Sequence, residues 1–151
     1  MKTKLHMARP GDLDRLLGMV AAFHGEAGIA LDGEARLAAI LPLLEGSPHG
    51  VIYIIGPRNA PIGYIAISFG WSIGLGGIEG FVDELWIRPA VRGKGMGGEA
   101  LSALTLALQD AGVRALHLKA PQDNPAARLC KRLGFRRHDN HCLMSASLNR
   151  A

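Results

Sequence analysis

The sequence predicts one α/β (α+β) domain: a mixed central sheet of about six to seven strands flanked by about four helices. Two kinds of observation carry that expectation. Short β-branched or aromatic runs are interleaved with segments of helical periodicity, and Gly and Pro clusters separate them. The 151 residues suit one domain, spanning 1–151, and are short for two. Hydrophobic residues at 48% and charged residues at 20% argue against disorder, collagen and coiled coil.

Residues 4–8 read as a first strand, and Pro10-Gly11-Asp12 as a turn that caps a helix. Leu13, Leu16, Leu17, Val20 and His24 then share one helical face. A Gly-containing connection over 25–33 leads to a second helix with Leu37, Ile40, Leu41 and Leu44, interrupted by Pro42. Residues 51–55 and 63–69 read as a hairpin around the turn cluster 56–61. The stretch 70–80, with five glycines, reads as a loop, and 81–88 as a strand stopped by Pro89. A helix over 98–111 and a strand over 115–119 follow. Asn124-Pro125 is a helix start, with Ala126, Leu129, Cys130 and Leu133 on one face and Gly134 at the end. Residues 135–138 and 142–148 read as two closing strands around Asp139-Asn140.

The net charge of +4 is unevenly spread. Residues 1–111 hold nine Lys/Arg against eleven Asp/Glu; residues 112–151 hold eight against two. An acidic body with a basic C-terminal quarter suggests two ligand surfaces of opposite sign. No apolar run approaches the ~20 residues of a membrane span, and no signal-peptide core follows the N-terminus. No membrane partner is expected. Cys130 and Cys142 match no zinc spacing, so no metal is expected, and reduced thiols in the cytoplasm are the default.

The most informative segment is Arg92-Gly93-Lys94-Gly95-Met96-Gly97-Gly98, which follows a strand and opens a helix. Unpaired N–H groups at a helix start favour anions, and glycines admit a ligand close to the backbone. Gly93-x-Gly95-x-x-Gly98 satisfies the dinucleotide fingerprint, but it comes late in the chain and no acid ends the next strand. The P-loop reading fails because Glu99-Ala100 stands where Lys-Ser/Thr is required.

Leu85-Trp86-Ile87-Arg88-Pro89 followed by 91–97 resembles the Arg/Gln-x-x-Gly-x-Gly/Ala acetyl-CoA motif of the GNAT superfamily of N-acetyltransferases. Residues 124–135 are similar to its second motif, Asn-x-x-Ala-x-x-Leu-Tyr-x-x-x-Gly-Phe. The resemblance covers residues 81–135, and the element order of the whole chain fits it. It implies acetyl-CoA as acyl donor and an amine of a small molecule or peptide as acceptor. It also implies that the amides of Arg92, Gly93, Lys94, Gly95, Met96 and Gly97 cradle the pyrophosphate. The backbone of Leu85, Trp86 and Ile87 would pair with the pantetheine arm. Asn124 would meet that arm or cap its helix, and Lys131 and Arg132 would reach the phosphate end. A homodimer is an expectation of the family.

Direct acetyl transfer needs a neutral amine, hence a base, and a proton for the leaving thiolate. The candidates are Glu84, as base or amine ligand, and Asp83. Strand alternation puts Asp83 with Phe81 and Leu85, and Glu84 with Val82 and Trp86. Cys130 stands where the family usually has the Tyr acid. Its thiol is chemically able to donate, but its place on an apolar face reads first as core. His24 and His117 read as core or pocket-edge histidines, and His138 and His141 show no ligand spacing. Trp71, Glu26, Asp32, Glu34 and Glu79 are weaker candidates for the acceptor side. The other classes are a non-catalytic CoA-binding module, a dehydrogenase and a nucleic-acid binder. The last lacks an aromatic-basic motif, since aromatics are 5%, and no nucleic-acid partner is expected.

Overall fold

A computed structural model describes residues 4–121, 128 and 131–149. Strand β1 (Leu5–Met7) leads through a 3-10 turn, Pro10–Asp12, into helix α1 (Leu13–Ala27). Helix α2 (Gly33–Leu44), strands β2 (Gly50–Ile55), β3 (Gly63–Ser72) and β4 (Gly77–Ile87), helix α3 (Met96–Asp110) and strand β5 (Ala115–His117) follow. The sheet order is β1-β2-β3-β4-β5. Its first three pairings are antiparallel, and β4 runs parallel to β5. The expected mixed α/β architecture is therefore present, with five strands and three helices as the elements among the described residues.

Two cores lie on the two faces of the sheet. On one, Leu16, Met19 and Val20 of α1 and Ile40 and Leu44 of α2 cover Ile52, Ile54, Tyr64, Ala66 and Trp86. On the other, Ala100, Leu101, Leu104 and Leu108 of α3 cover Ile55, Ile65 and Ile67. These helix positions recur every three or four residues, so each helix turns one apolar stripe to the sheet. Buried Asp12 fixes the start of α1: its carboxylate takes the Arg9 N–H at 3.0 Å and pairs with Arg58 from the β2–β3 connection. Gly28 ends α1 in the left-handed conformation (φ 70°), and Asp32 caps α2 by accepting from the Ala35 N–H. The connection is thus shorter than expected. α2 continues through Pro42 and ends two residues later.

Two expectations are corrected. The 70–80 stretch is mostly strand: Gly70 pairs with Glu79, Phe69 with Gly80 and Ser72 with Gly77. Only residues 73–76 form the hairpin tip. A side chain at Gly80 would press on Leu116 and Ile67, at 3.3 and 3.4 Å, so glycine there serves packing rather than a loop. The closing segments 135–138 and 142–148 are not strands among the described residues. Neither contains a β-branched residue, and neither finds a ladder partner. Leu143, Met144 and Leu148 accordingly stay exposed, while the turn at Asp139-Asn140 forms. The expected last helix falls largely outside the described residues; Arg128, Lys131 and Arg132 are helical, and Gly134 follows with φ 95°.

β4 leaves no room for a side chain at Gly63 of β3, where an added Cβ would lie 2.1 Å from the Trp86 carbonyl oxygen. Gly63→Ala is expected to destabilise the fold by about 1–3 kcal/mol, the range for overpacking a filled site. A lower urea midpoint with an unchanged m-value checks this.

Candidate active site

β4 carries the site, and an irregularity in it decides which side chains meet. Ala66 pairs with Glu84, but its neighbour Ile67 pairs with Val82, so Asp83 is an extra, unpaired residue. Such a bulge shifts the alternation of the strand. Val82, Leu85 and Ile87 therefore pack on the α3 side, while Trp86 packs on the α1/α2 side. The expected sharing of a face by Glu84 and Val82 is corrected on this ground; simple alternation has no place for the bulge.

Glu84 reaches the α1/α2 side. Its Oε2 lies 2.8 Å from Nε2 of buried His24, and its Oε1 accepts from the Tyr64 hydroxyl at 2.7 Å. Arg36 Nε donates to His24 Nδ1 at 3.3 Å. Four side chains from α1, α2, β3 and β4 thus form one chain of hydrogen bonds. Burial, then the hydrogen bond to Glu84, pushes the Tyr64 hydroxyl well above the usual phenol range, so it remains a donor. Asp83 is also pushed up, first by burial and then by the Glu84 charge, with Lys119 and His24 acting against the shift.

A second cluster joins α1 to the glycine turn. Glu26 accepts from Trp86 Nε1 at 2.8 Å and from Arg92 Nη2 at 2.9 Å. Arg92 Nε donates to the Ile87 carbonyl at 2.7 Å, and the guanidinium lies 6.0 Å from the centre of the Trp86 ring. Arg92 is thereby engaged with Glu26 and Trp86. Glu26, weighed as an acceptor-side acid, sits against this turn.

The turn itself departs from ordinary backbone. Gly93 and Gly95 have φ of 78° and 80°, a region that disfavours side chains. Gly95 is the N-cap of α3, and no side chain caps that end. The space beside Gly93, Gly95 and Gly97 is open, and Lys94 is exposed. Helix α3 begins at Met96, two residues before the expected Gly98.

β4 and β5 pair only from Glu79 to Phe81 on the β4 side. Beyond that point, among the described residues, β4 runs on to Ile87 with β3 alone paired to it. The Arg88 N–H bonds to the Ile62 carbonyl across the β3 side, so alternation turns the backbone groups of Leu85 and Ile87 to the opposite edge. That edge ends at the glycine turn. Lys131 lies with Arg128 and Arg132 along an open cavity of about 570 Å³. Asn124 and Cys130 lie outside the described residues.

Sequence reading missed Tyr64 and Arg36. A tyrosine within the apolar run 62–67 signals a buried hydroxyl in search of a partner; nothing local marks Arg36. His24, expected as a core or pocket-edge histidine, is buried. His117 lies at the last β4–β5 rung, 3.1 Å from Glu79 and against the Phe81 ring.

A model of the acetyltransferase (GNAT) family matches residues 15–135. The chain belongs to the GNAT acetyltransferase family. The resemblance carried by residues 85–97 and 124–135 is thus borne out. No curated protein sequence matches the chain. Among solved structures it is similar to the integron cassette protein HFX_CASS3 from the mobile metagenome of Cole Harbour Salt Marsh. That likeness has 33% identity and a TM-score of 0.83, over 97% of this chain and 91% of the other. A predicted acetyltransferase from Clostridium acetobutylicum, solved with acetyl-CoA, has TM-score 0.75 at 18% identity, over 95% of this chain and 96% of that one. AAC(6')-Iy, solved with the bisubstrate analogue CoA-S-monomethyl-acetylneamine, has TM-score 0.77 at 15% identity, over 97% and 99%. The last two likenesses show the GNAT fold. Among the described residues no helix is long and apolar enough to cross a membrane.

Proposed function

We propose that this GNAT chain is an acetyl-CoA-dependent N-acetyltransferase that acetylates a primary amine of a small molecule or peptide by direct transfer. One observation carries the reading. On a single strand, the edge of Leu85 and Ile87 that faces away from β3 runs into a left-handed glycine turn, while Glu84 faces the helices between two hydrogen-bond donors.

The residues fit the donor. Leu85 and the Ile87 N–H would hold the pantetheine arm through the open edge, with Asn124 beside it; the Trp86 backbone, expected to join them, is turned to Tyr64 of β3 instead. The backbone of Arg92, Gly93, Lys94, Gly95, Met96 and Gly97 would hold the pyrophosphate at the start of α3, where the helix dipole favours negative charge. Lys131, with Arg128 and Arg132, would meet the remaining phosphate. When bound, acetyl-CoA supplies an activated acyl thioester.

Glu84 deals with the acceptor. An ionised carboxylate has about four lone-pair sites, and two are used by His24 and Tyr64. The others are available to bind an ammonium group and take its proton. Asp83 beside it is the second candidate, and its raised affinity for protons fits a base as well. Cys130 or water would return a proton to the departing thiolate. The charge of Glu84, with Asp83 beside it in the strand, favours a cationic acceptor. Two solved structures of the same fold, AAC(6')-Iy with its acetylneamine bisubstrate analogue and an aminoglycoside acetyltransferase from an uncultured soil metagenomic sample, support the choice of a small-molecule amine.

The test is release of free thiol from acetyl-CoA over a panel of polyamine-like, aminoglycoside-like and peptide amines. Exposed Cys142 adds a constant background with thiol reagents. Amine-dependent, saturable release above that background is expected. Tight acetyl-CoA binding with no turnover on any amine would instead favour the non-catalytic CoA-binding module.

A further inference from the structure

His24 is buried between one carboxylate and one guanidinium, and the two nitrogens of its ring are not equivalent. A guanidinium carries only donors, so any nitrogen facing it must accept. Arg36 Nε faces Nδ1 at 3.3 Å. The ring proton is therefore left to Nε2, which sits 2.8 Å from Glu84 Oε2 and donates to it. A second proton on the ring would set an N–H against the guanidinium. Arg36 is itself anchored, since its Nη2 donates to the Leu31 carbonyl at 2.6 Å in the α1–α2 connection. The charged and titratable groups around the ring are Glu84 and Asp83 from β4, Arg36 from α2, and Tyr64 from β3 beyond Glu84.

We infer that Arg36 is a positioning residue: it fixes His24 as the neutral Nε2–H tautomer, and that tautomer orients the Glu84 carboxylate. The hydrogen bond at one ring nitrogen sets the state of the other. In the opposite tautomer a bare Nε2 lone pair would face Glu84 Oε2. The carboxylate would then keep only its Tyr64 bond and lose its fixed orientation. The inference rests on the reading of Glu84 as base or amine ligand, but the tautomer is measurable without turnover.

The test is a long-range proton–nitrogen correlation spectrum of the full chain labelled with 15N-histidine. The signal of His24 is the one lost in His24→Gln. In the wild type, His24 is expected to show a protonated Nε2 and a bare Nδ1. In Arg36→Met, which keeps the stem and removes the donors, Glu84 still holds the proton on Nε2 but nothing opposes a second proton on Nδ1, so both nitrogens are expected to shift toward the imidazolium pattern. With an amine substrate, Arg36→Met lowers kcat by about 10–100-fold, the range for removing the partner that orients a ligand group. KM for acetyl-CoA is unchanged, and Arg36→Lys restores part of the rate. An Nδ1–H tautomer or an imidazolium in the wild type overturns the inference, even if the variant does not fold. So does an unchanged ring spectrum in folded Arg36→Met. Absence of turnover with the expected ring spectrum overturns the proposed function and leaves the tautomer assignment standing.

Discussion

Glu84→Gln is expected to lower the rate of amine acetylation by ~10²–10⁴-fold, the usual contribution of a positioned acid or base. The substitution changes charge but hardly changes shape. The amide oxygen can accept from His24 Nε2, as Oε2 does now. The amide NH₂ then faces the Tyr64 hydroxyl, which can rotate to accept. The hydrogen-bonded chain therefore survives, and the fold with it. What is lost is the lone pair that takes the proton of the amine and the negative charge that attracts it. Affinity for acetyl-CoA should not change, because the open β4 edge and the glycine turn are untouched. Steady-state rates measured with both substrates varied check this. A rate within a few-fold of wild type would move the base to Asp83, the neighbouring residue in the bulge.

Gly95→Glu is expected to remove saturable acetyl-CoA binding while leaving the chain folded. Gly95 has φ 80° and caps α3 with no side chain of its own. A non-glycine residue there bears strain of order 1–3 kcal/mol. The site is surface-exposed and its surroundings are open, so the fold can accommodate the side chain. The ligand cannot: a carboxylate would stand beside the N–H groups meant for phosphate, and like charges repel. Strain and repulsion act together, so affinity should fall at least ~10-fold for each 1.4 kcal/mol lost. Titration calorimetry reads the loss, and circular dichroism checks the fold.

The parts of this account that were legible in the sequence are local. The α1 stripe from Leu13 to His24 and the strand from Gly50 to Ile55 announce themselves by period and composition. The glycine turn does so too, because its positive φ values need residues next to one another in the chain. The partners of Glu84 are not local. His24 is 60 residues away and Tyr64 is 20 away, and they meet only because α1 packs across β3 and β4. The bulge at Asp83 defeats alternation, so the sequence placed Val82 on the wrong face. The 70–80 glycines suggested a loop because a glycine needed for close packing looks the same in sequence as one needed for a turn. The closing segments suggested strands because apolar content alone does not reveal whether a partner strand is at hand.

The most direct test of the central claim is calorimetric titration of the wild-type chain with acetyl-CoA, with NADH alongside. The account predicts saturable acetyl-CoA binding, abolished in Gly95→Glu, and no binding of NADH. A folded wild-type chain that takes up no acetyl-CoA would contradict it, and NADH binding in its place would turn the glycine turn into a dinucleotide site.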